Sequence, residues 1–403
     1  MEEKKNHQLH NRAPENTFKN NDEGTLAIDL GSSTTVIVFQ KEHEKHHKLL
    51  DLPPISRSPG EIPSFVWQSP ENKDNFLIGQ QILDLKLIEE ENKNNLSQDF
   101  KRWIGSPSID NIYNSIIPPE KAGEILIHKI WEEVSAKVNV KRLVLTAPVD
   151  TYREYRTWLV NACSSLRVKE IALVDEPTAA AMGAGLAPGS TLLVLDFGGS
   201  TIDMSIVALE GGEGSASPIA QLVRFDGNTL EGKSSQVLRT AKVLGKAGLR
   251  LGGKDIDRWI VDHLLPEEIP TNIILSVAEE LKCELSKMDI KETMVISKKV
   301  KVNQEEKFLT LSKKGLEELL LEKGLLKSIE NLFTKTINTA KRNSFRMEDL
   351  DNIVLVGGGS QIPIIKKFLS SLCESVPFIT PPPVEAIAIG ALMLTPGVQV
   401  KDV

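Results

Sequence analysis

Two short stretches of this chain carry an acid, glycines and hydroxyls in the same order: "IDLGSSTT" at 28–35 and "LDFGGSTID" at 195–203. Aligning Asp29 with Asp196 places Gly31 on Gly198, Ser33 on Ser200 and Thr34 on Thr201. Each stretch ends one apolar run and starts another. A tight Gly/Ser/Thr turn between two strands aims successive backbone N–H groups at one spot, which suits phosphate oxygens, and its hydroxyls add donors. Glycine allows a ligand to approach closely. A carboxylate at the strand end repels phosphate, but it can hold Mg²⁺ through waters and so tie a polyphosphate to the protein. Two such turns facing each other would clamp a triphosphate from both sides. Either turn alone is equally an ordinary hairpin with a surface aspartate; their repetition argues against that.

The elements that must position these turns are themselves duplicated. Residues 25–39 read as strand–turn–strand, followed by short strands in "LDLPPISRSP" and "IPSFVWQ" and a more helical stretch over 77–104. Ile125, His128, Ile130, Trp131 and Val134 fall near helical spacing within 120–138. The strand "KRLVLTAP" stops at Pro148, an amphipathic helix follows, and "VKEIALVDEP" leads into the alanine-rich "TAAAMGAGLA". The order then restarts with the hairpin at 192–209 and a hairpin region at 222–250. Helices are expected from "LGGKDID", over 273–287 and over 312–343, with short strands at 294–311. The strand "NIVLV" enters "GGGSQIP", and "EAIAIGALML" closes as a small-residue helix. Hairpins followed by strand–helix units, twice, predict a duplicated α/β architecture.

At 403 residues and 40% hydrophobic, the chain can fill two domains or one large bilobed one. A net charge of −7 argues against nucleic acid as the main partner. No apolar run approaches the ~18–20 residues of a membrane span. The polar start reads as a disordered tail without the apolar centre of a signal peptide. Cys163, Cys283 and Cys373 lack paired spacing, which predicts buried structural thiols in a reducing, cytoplasmic setting. His43, His46 and His47 in "KEHEKHHK" are read as a solvated hairpin tip rather than a metal site, and His128 as a satisfied core residue.

Eight segments, "IDLGSSTT", "TAPVDTYREYR", "LVDEPTAAA", "LDFGGSTID", "LGGKDID", "AEELKCELS", "LVGGGSQIP" and "EAIAIGA", occur in one order. In that order and spacing, residues 24 to about 398 resemble the nucleotide-binding (ATPase) domain of the DnaK-type heat-shock chaperones, the seventy-kilodalton class. The resemblance implies an actin-like ATPase fold: two lobes, each on a duplicated five-stranded sheet with helices, and the nucleotide in a central cleft. It implies a tail at 1–23, lobe I at 24–195 and lobe II at 196–376 with a shortened upper subdomain at about 255–330. A closing helix at 377–398 would return to lobe I, and 399–403 would begin an interdomain linker.

It also implies roles. Asp29 and Asp196 would organise Mg²⁺ through waters, and Asp203 would lie near a monovalent ion such as K⁺. Gly31, Ser32, Ser33 and Thr34, with Gly198, Gly199, Ser200 and Thr201, would hold the phosphates of ATP or ADP. Lys101 would face the γ-phosphate, Glu176 would position the attacking water, and Thr201 and Asp196 would join them in catalysis. Gly253, Glu279, Lys282, Ser286, Gly357, Gly358, Gly359, Ser360 and Gln361 would surround the adenosine and α-phosphate. Pro148 and Arg156 would relay signals between domains. Each residue has a plainer reading: a solvated Lys101, a helix-starting Glu176, an i,i+3 salt bridge for Glu279 and Lys282, a helix-entry loop for the glycines.

The implied activity is slow ATP hydrolysis that switches the lobes between closed and relaxed states. Implied partners are a J-domain co-chaperone, a nucleotide-exchange factor and, through a further domain, client peptide. Three positions depart from the family pattern: Ser200 in place of a third glycine, Gln361 in place of an adenine-stacking arginine, and Val384 in place of an aspartate. These leave room for a pseudo-ATPase scaffold, and the shared superfamily turns leave room for an actin-like filament ATPase.

Overall fold

A computed structural model describes residues 22–394, except 45, 90–92, 107–112, 114, 149–151, 169, 187–188, 211–219, 225–239, 303–304 and 383. The expected tail (as far as residue 21) and linker start lie outside the described residues.

The first sheet begins with β1 (Glu23–Asp29) and β2 (Thr34–Lys41), followed by β3 (His47–Leu49) and β4 (Glu61–Pro63). A small side sheet of β5 (Phe65–Gln68), β6 (Phe76–Ile78) and β7 (Leu96–Gln98) encloses α1 (Gln80–Asp84) in the chain. The helix expected over 77–104 is therefore mostly absent: α1 has five residues, and 3-10 turns and a strand take the rest. Positive φ at Gly79 and Lys86 interrupts helical propagation there. Then come α2 (Pro119–Ser135), β8 (Asn139–Ala147), α3 (Tyr152–Cys163), β9 (Glu170–Asp175) and α4 (Glu176–Gly183).

The second sheet repeats the plan. β10 (Thr191–Phe197) and β11 (Ile202–Glu210) form the hairpin, followed by β12 (Ala220–Arg224) and β13 (Thr240–Leu249). After α5 (Gly253–Leu264) and α6 (Asn272–Leu285), the hairpin β14 (Val295–Val302)–β15 (Glu305–Ser312) leads to α7 (Lys313–Glu322) and α8 (Leu325–Arg342). The chain closes with β16 (Asn352–Val356), α9 (Pro363–Leu372), β17 (Phe378–Ile379) and α10 (Ala386–Leu394).

Strand orders β9-β8-β1-β2-β3 and β17-β16-β10-β11-β13 correspond one to one. In both, the hairpin pair is antiparallel and the next neighbour parallel. The second sheet has the five strands implied. The first has seven, because β4 also pairs with β2, and β12 joins the outer edge of β9. β12 leaves the connection between two second-sheet strands to complete the other sheet, and a count of hairpins in the sequence does not foretell that crossing.

Alternation along the strands sorts three cores. Leu26, Ile28, Ile37, Phe39, Leu143 and Leu145 face α2 and α3 on the outside of the first sheet. Leu193, Leu195, Phe197, Met204 and Ile206 pack outward with α5, α6 and α8. Between the sheets, Ala27, Val36, Val144, Leu192, Val194 and Val354 meet α4 and α10. These two helices can pack tightly because small residues line the seam. A Cβ added to Gly390 would sit 1.7 Å from the Ala179 carbonyl oxygen, and one on Gly183 2.0 Å from that of Ala386. His128 accepts its place on α2 through a bond to the Ala162 carbonyl, as expected of a satisfied core residue. His43, His46 and His47 are exposed around the β2–β3 turn. Among the described residues, no helix is long and apolar enough to cross a membrane.

Candidate functional site

The alternation that sends Leu26 and Ile28 outward turns Ala27 and Asp29 inward, and on β10 it turns Val194 and Asp196 inward likewise. Both carboxylates thus end their strands on the facing sides of the two sheets. Between them lies a cavity of about 470 Å³ lined by Asp29, Gly31, Ser32, Ser33, Thr34, Lys101, Glu176 and Asp196. Gly198, Gly199, Thr201, Gly253, Glu279, Lys282, Ser286, Gly357, Gly358, Gly359 and Gln361 complete the expected lining.

The two turns touch. A Cβ added to Gly199 would lie 2.1 Å from Ser33 Oγ, so the second turn packs directly against the Ser33 side chain. The first turn is tight in its own right, since a Cβ on Gly31 would meet the Thr34 carbonyl oxygen at 2.1 Å. In the second, Gly198 N–H donates to the Thr201 carbonyl at 2.9 Å.

Asp29 is buried and accepts a bond from Thr146 Oγ1 at 2.6 Å, from the neighbouring strand β8. Lys101 is carried on a 3-10 turn at Phe100–Trp103, and its Nζ lies 2.8 Å from Glu176 Oε1. Burial works against the Lys101 ammonium, but Glu176, with Asp29 further off, outweighs it and holds Lys101 above the usual lysine range. Burial raises Glu176, and the lysine only partly offsets this. Asp196 is raised well above an ordinary aspartate by burial first, then by the charges of Glu176 and Asp203. Carboxylates therefore gather around the Lys101 ammonium, an arrangement that suits a cation carried by a polyanion. Among the described residues no three side chains form a direct metal cluster. An ion here would complete its shell with phosphate oxygens and water, the usual manner for Mg²⁺.

Glu176 is also the first residue of α4, whose N-cap Asp175 accepts from Thr178 N–H at 3.0 Å. The helix-start reading and the cleft reading hold together. Lys282 does not form the i,i+3 pair with Glu279 that the plainer reading offered. Its ammonium reaches Asp257 on α5 at 2.6 Å and the Gly253 carbonyl at 3.0 Å. Burial raises Asp257 to about 7 despite that lysine. Ser286 caps α6 and donates to the Lys282 carbonyl at 2.8 Å.

Some expected residues lie elsewhere. Ser200 is fully buried and does not line the cavity; its hydroxyl donates to Asp99. Ser360 is buried and donates to the Gly357 carbonyl at 2.7 Å. Asp203 faces Asp196 in the β10–β11 register but is outside the lining. Pro148, just after β8, and Arg156, on α3, are half-buried and outside it too. Cys163 and Cys373 are buried as expected, whereas Cys283 is exposed at the cleft, because α6 turns that position toward the opening rather than the core.

Sequence reading passed over Thr146, Lys254, Lys287, Ile362 and Ile387, all at or beside the cavity. Lys254 sits in "GGKDID" and had a local signal; Thr146 and Ile387 read as ordinary strand and helix residues. Tyr155 was missed as well. It is fully buried on α3 among the charges of Lys101, Glu176 and Asp29, and its hydroxyl has no hydrogen-bond partner among the described residues.

Comparison with known proteins places this geometry. The family model described as Hsp70 protein matches residues 73–216 and 240–403. The chaperone protein DnaK of Thermosipho africanus is 25% identical over 406 residues, covering 95% of this chain and 62% of that protein. That of Thermotoga petrophila is 24% identical, covering 94% and 61%, and that of Nitrosopumilus maritimus is 25% identical, covering 75% and 46%. The chain spans about three-fifths of the length of the first of these relatives. Twin sheets around a glycine-lined cleft are the actin-like fold of this family, and the chain belongs to the Hsp70 family.

Proposed function

We propose that the chain binds Mg–ATP in the cleft and hydrolyses it slowly, as the nucleotide-binding part of a DnaK-like chaperone. The observation that carries this is the apposition of the two turns, Ser33 against Gly199, with Asp29, Lys101, Glu176 and Asp196 lining the same cavity. Backbone N–H groups of Gly31 to Thr34, of Gly199 and of Thr201 hold the phosphates, with the Ser32, Ser33, Thr34 and Thr201 hydroxyls as further donors. Ser200 lies outside that lining, with its hydroxyl engaged by Asp99.

Lys101 remains charged in its buried pair and offsets the negative charge of the terminal phosphate as water attacks. Glu176, fixed by the same pair, orients that water. Asp29 and Asp196 would hold Mg²⁺ through waters, and the ion would supply charge neutralisation at the phosphates. Asp203 stands behind Asp196 as the group nearest a K⁺ site. Glu279, Ser286, Gly357, Gly358 and Gln361 border the adenosine. Lys282 is held by Asp257 and shapes that wall more than it reaches the ribose.

Lobe closure on ATP and relaxation on ADP, a J-domain co-chaperone, an exchange factor and a cytoplasmic setting belong to the same reading, with Pro148 and Arg156 as relay positions. The lobe limits at 24–195 and 196–376, with the smaller upper part at about 255–330 and the closing segment at 377–398, are part of it. Calorimetry with Mg–ATP and ADP, followed by single-turnover hydrolysis, tests it. Binding with slow turnover supports the ATPase. Binding without turnover makes the chain a nucleotide-gated scaffold, and ATP-dependent sedimentation makes it a filament protein.

A further inference from the structure

We propose that Ser200 is a positioning residue, which with Asp99 latches the second phosphate turn to the loop that carries Lys101 and holds the cleft closed. The starting observation is that a residue with a hydroxyl, Ser200, occupies this turn between Gly199 and Thr201. Its φ is not in the left-handed region, so the Cβ strains nothing. The residue is wholly buried, and its hydroxyl crosses the cleft to donate to Asp99 Oδ1. Glycine could not make that bond.

Both ends of the bond matter. Ser200 lies between Gly199, which touches Ser33, and Thr201, which lines the cavity. The start of α5 closes over it, since a Cβ on Gly252 would be 2.3 Å from Ser200 N. Asp99 has φ 60 and caps the 3-10 turn that presents Lys101 two residues later. The Ser200–Asp99 bond therefore fixes the distance between the phosphate-holding backbone and the ammonium meant to face the last phosphate. A hydroxyl bonded to a carboxylate is among the stronger hydrogen bonds, and this one is shielded from water.

The same loop makes further ties to the second lobe. Arg102 Nη2 donates to the Arg250 carbonyl at 2.9 Å and lies 3.9 Å from Asp255. Arg250 donates to Ser106 Oγ at 3.0 Å, Gln98 to Asn272 Oδ1 at 3.0 Å, and Lys254 stands 3.8 Å from Asp99 Oδ1. These line up on one side of the Lys101 loop as a zip between lobes. Ser200 forms its inner tooth, the one nearest the phosphates.

The kinetic half of this proposal rests on the ATPase reading; the structural half does not. The test uses the full chain without nucleotide, with spin labels on Lys73→Cys and Met288→Cys in a Cys283→Ser background, one label in each lobe. The latch predicts a single short interlobe distance. Ser200→Ala should shift the distribution to longer values, and Asp99→Asn should open it at least as far. Release of a fluorescent ATP analogue should accelerate about tenfold in Ser200→Ala, equivalent to about 1.4 kcal/mol. An unchanged distance distribution in Ser200→Ala overturns the latch, as does an unchanged one in Asp99→Asn. If the unsubstituted chain binds no nucleotide, the ATPase reading fails while the distance measurement still decides the latch.

Discussion

The two phosphate turns come from one sequence pattern yet do different work. In the first, Asp29 is supported by the Thr146 hydroxyl on β8, and Ser32, Ser33 and Thr34 all border the cavity. In the second, the corresponding place on the parallel neighbour β16 is taken by Val356, which faces Asp196 in register and offers no hydroxyl. Asp196 is left among carboxylates and is lifted well above the usual range. The hydroxyl of Ser200 is spent on the opposite lobe rather than on the cleft. Duplication thus supplied two equal frames, and the neighbours made one a supported donor loop and the other a loop tethered to the opposite lobe beside a crowded acid.

The largest effect expected from breaking this asymmetry is at the residue both turns share. Lys101→Ala should retain ATP yet lower single-turnover hydrolysis by about 10²–10³-fold, the range typical of removing one charge-stabilising donor. Undiminished turnover would remove Lys101 from the chemistry.

Asp196→Asn separates stability from function. A carboxyl raised in the folded state costs stability when ionised, and this cost grows as pH climbs past its unfolded value, near 4. The amide should therefore raise the Tm of the nucleotide-free chain at pH 7 while weakening the Mg²⁺ dependence of ATP binding by about tenfold, as expected of losing a charged contact. Asp29→Asn, which replaces the carboxylate that accepts from Thr146, should also weaken binding; unchanged Mg²⁺ dependence in either variant would remove that residue from the metal site.

A smaller effect is expected where the turns meet. Gly199→Ala would push its methyl into Ser33 Oγ, and reduced affinity of a few-fold is expected, on the order of 1 kcal/mol for displacing one hydroxyl donor. Gly198→Ala has its nearest neighbour at 3.6 Å and should be nearly silent. Calorimetric affinities in the reverse order would show that the turns are not in contact.

The smallest effect concerns the second lobe's other raised acid. Asp257 folds with a pKa of about 7, above its unfolded value near 4, so the folded chain holds the proton more tightly. Its contribution to stability falls as pH rises from about 4 through about 7. Asp257→Asn should flatten that part of a Tm–pH profile; an unaltered slope would mean the Lys282 pair fully offsets burial.

Much of this was legible in the chain. The repeat of acid, glycine and hydroxyl located both turns, and apolar alternation located the strands that end in them. Less was legible where function depends on who stands opposite. Lys101 reads as a surface lysine until Glu176 is seen 2.8 Å away. The i,i+3 spacing of Glu279 and Lys282 suggested a pair that Asp257, on another helix, pre-empts. Cys283 read as a buried structural thiol because it lacks paired spacing, and only the cleft exposes it. β12 looks like part of a local hairpin, yet it pairs with β9 in the other sheet.

The amino-acid order by itself determined the local conformations: where strands stop, where glycine admits a close turn, and which face each acid takes. These follow from steric limits and period-two alternation, which act over a few residues. Tertiary structure alone decided that the two faces meet, that Ser33 abuts Gly199, and that Ser200 bonds to Asp99 rather than to a ligand. Such pairings join residues a hundred or more positions apart, and packing of the sheets around α4 and α10 sets them, because no local propensity encodes a distance between lobes.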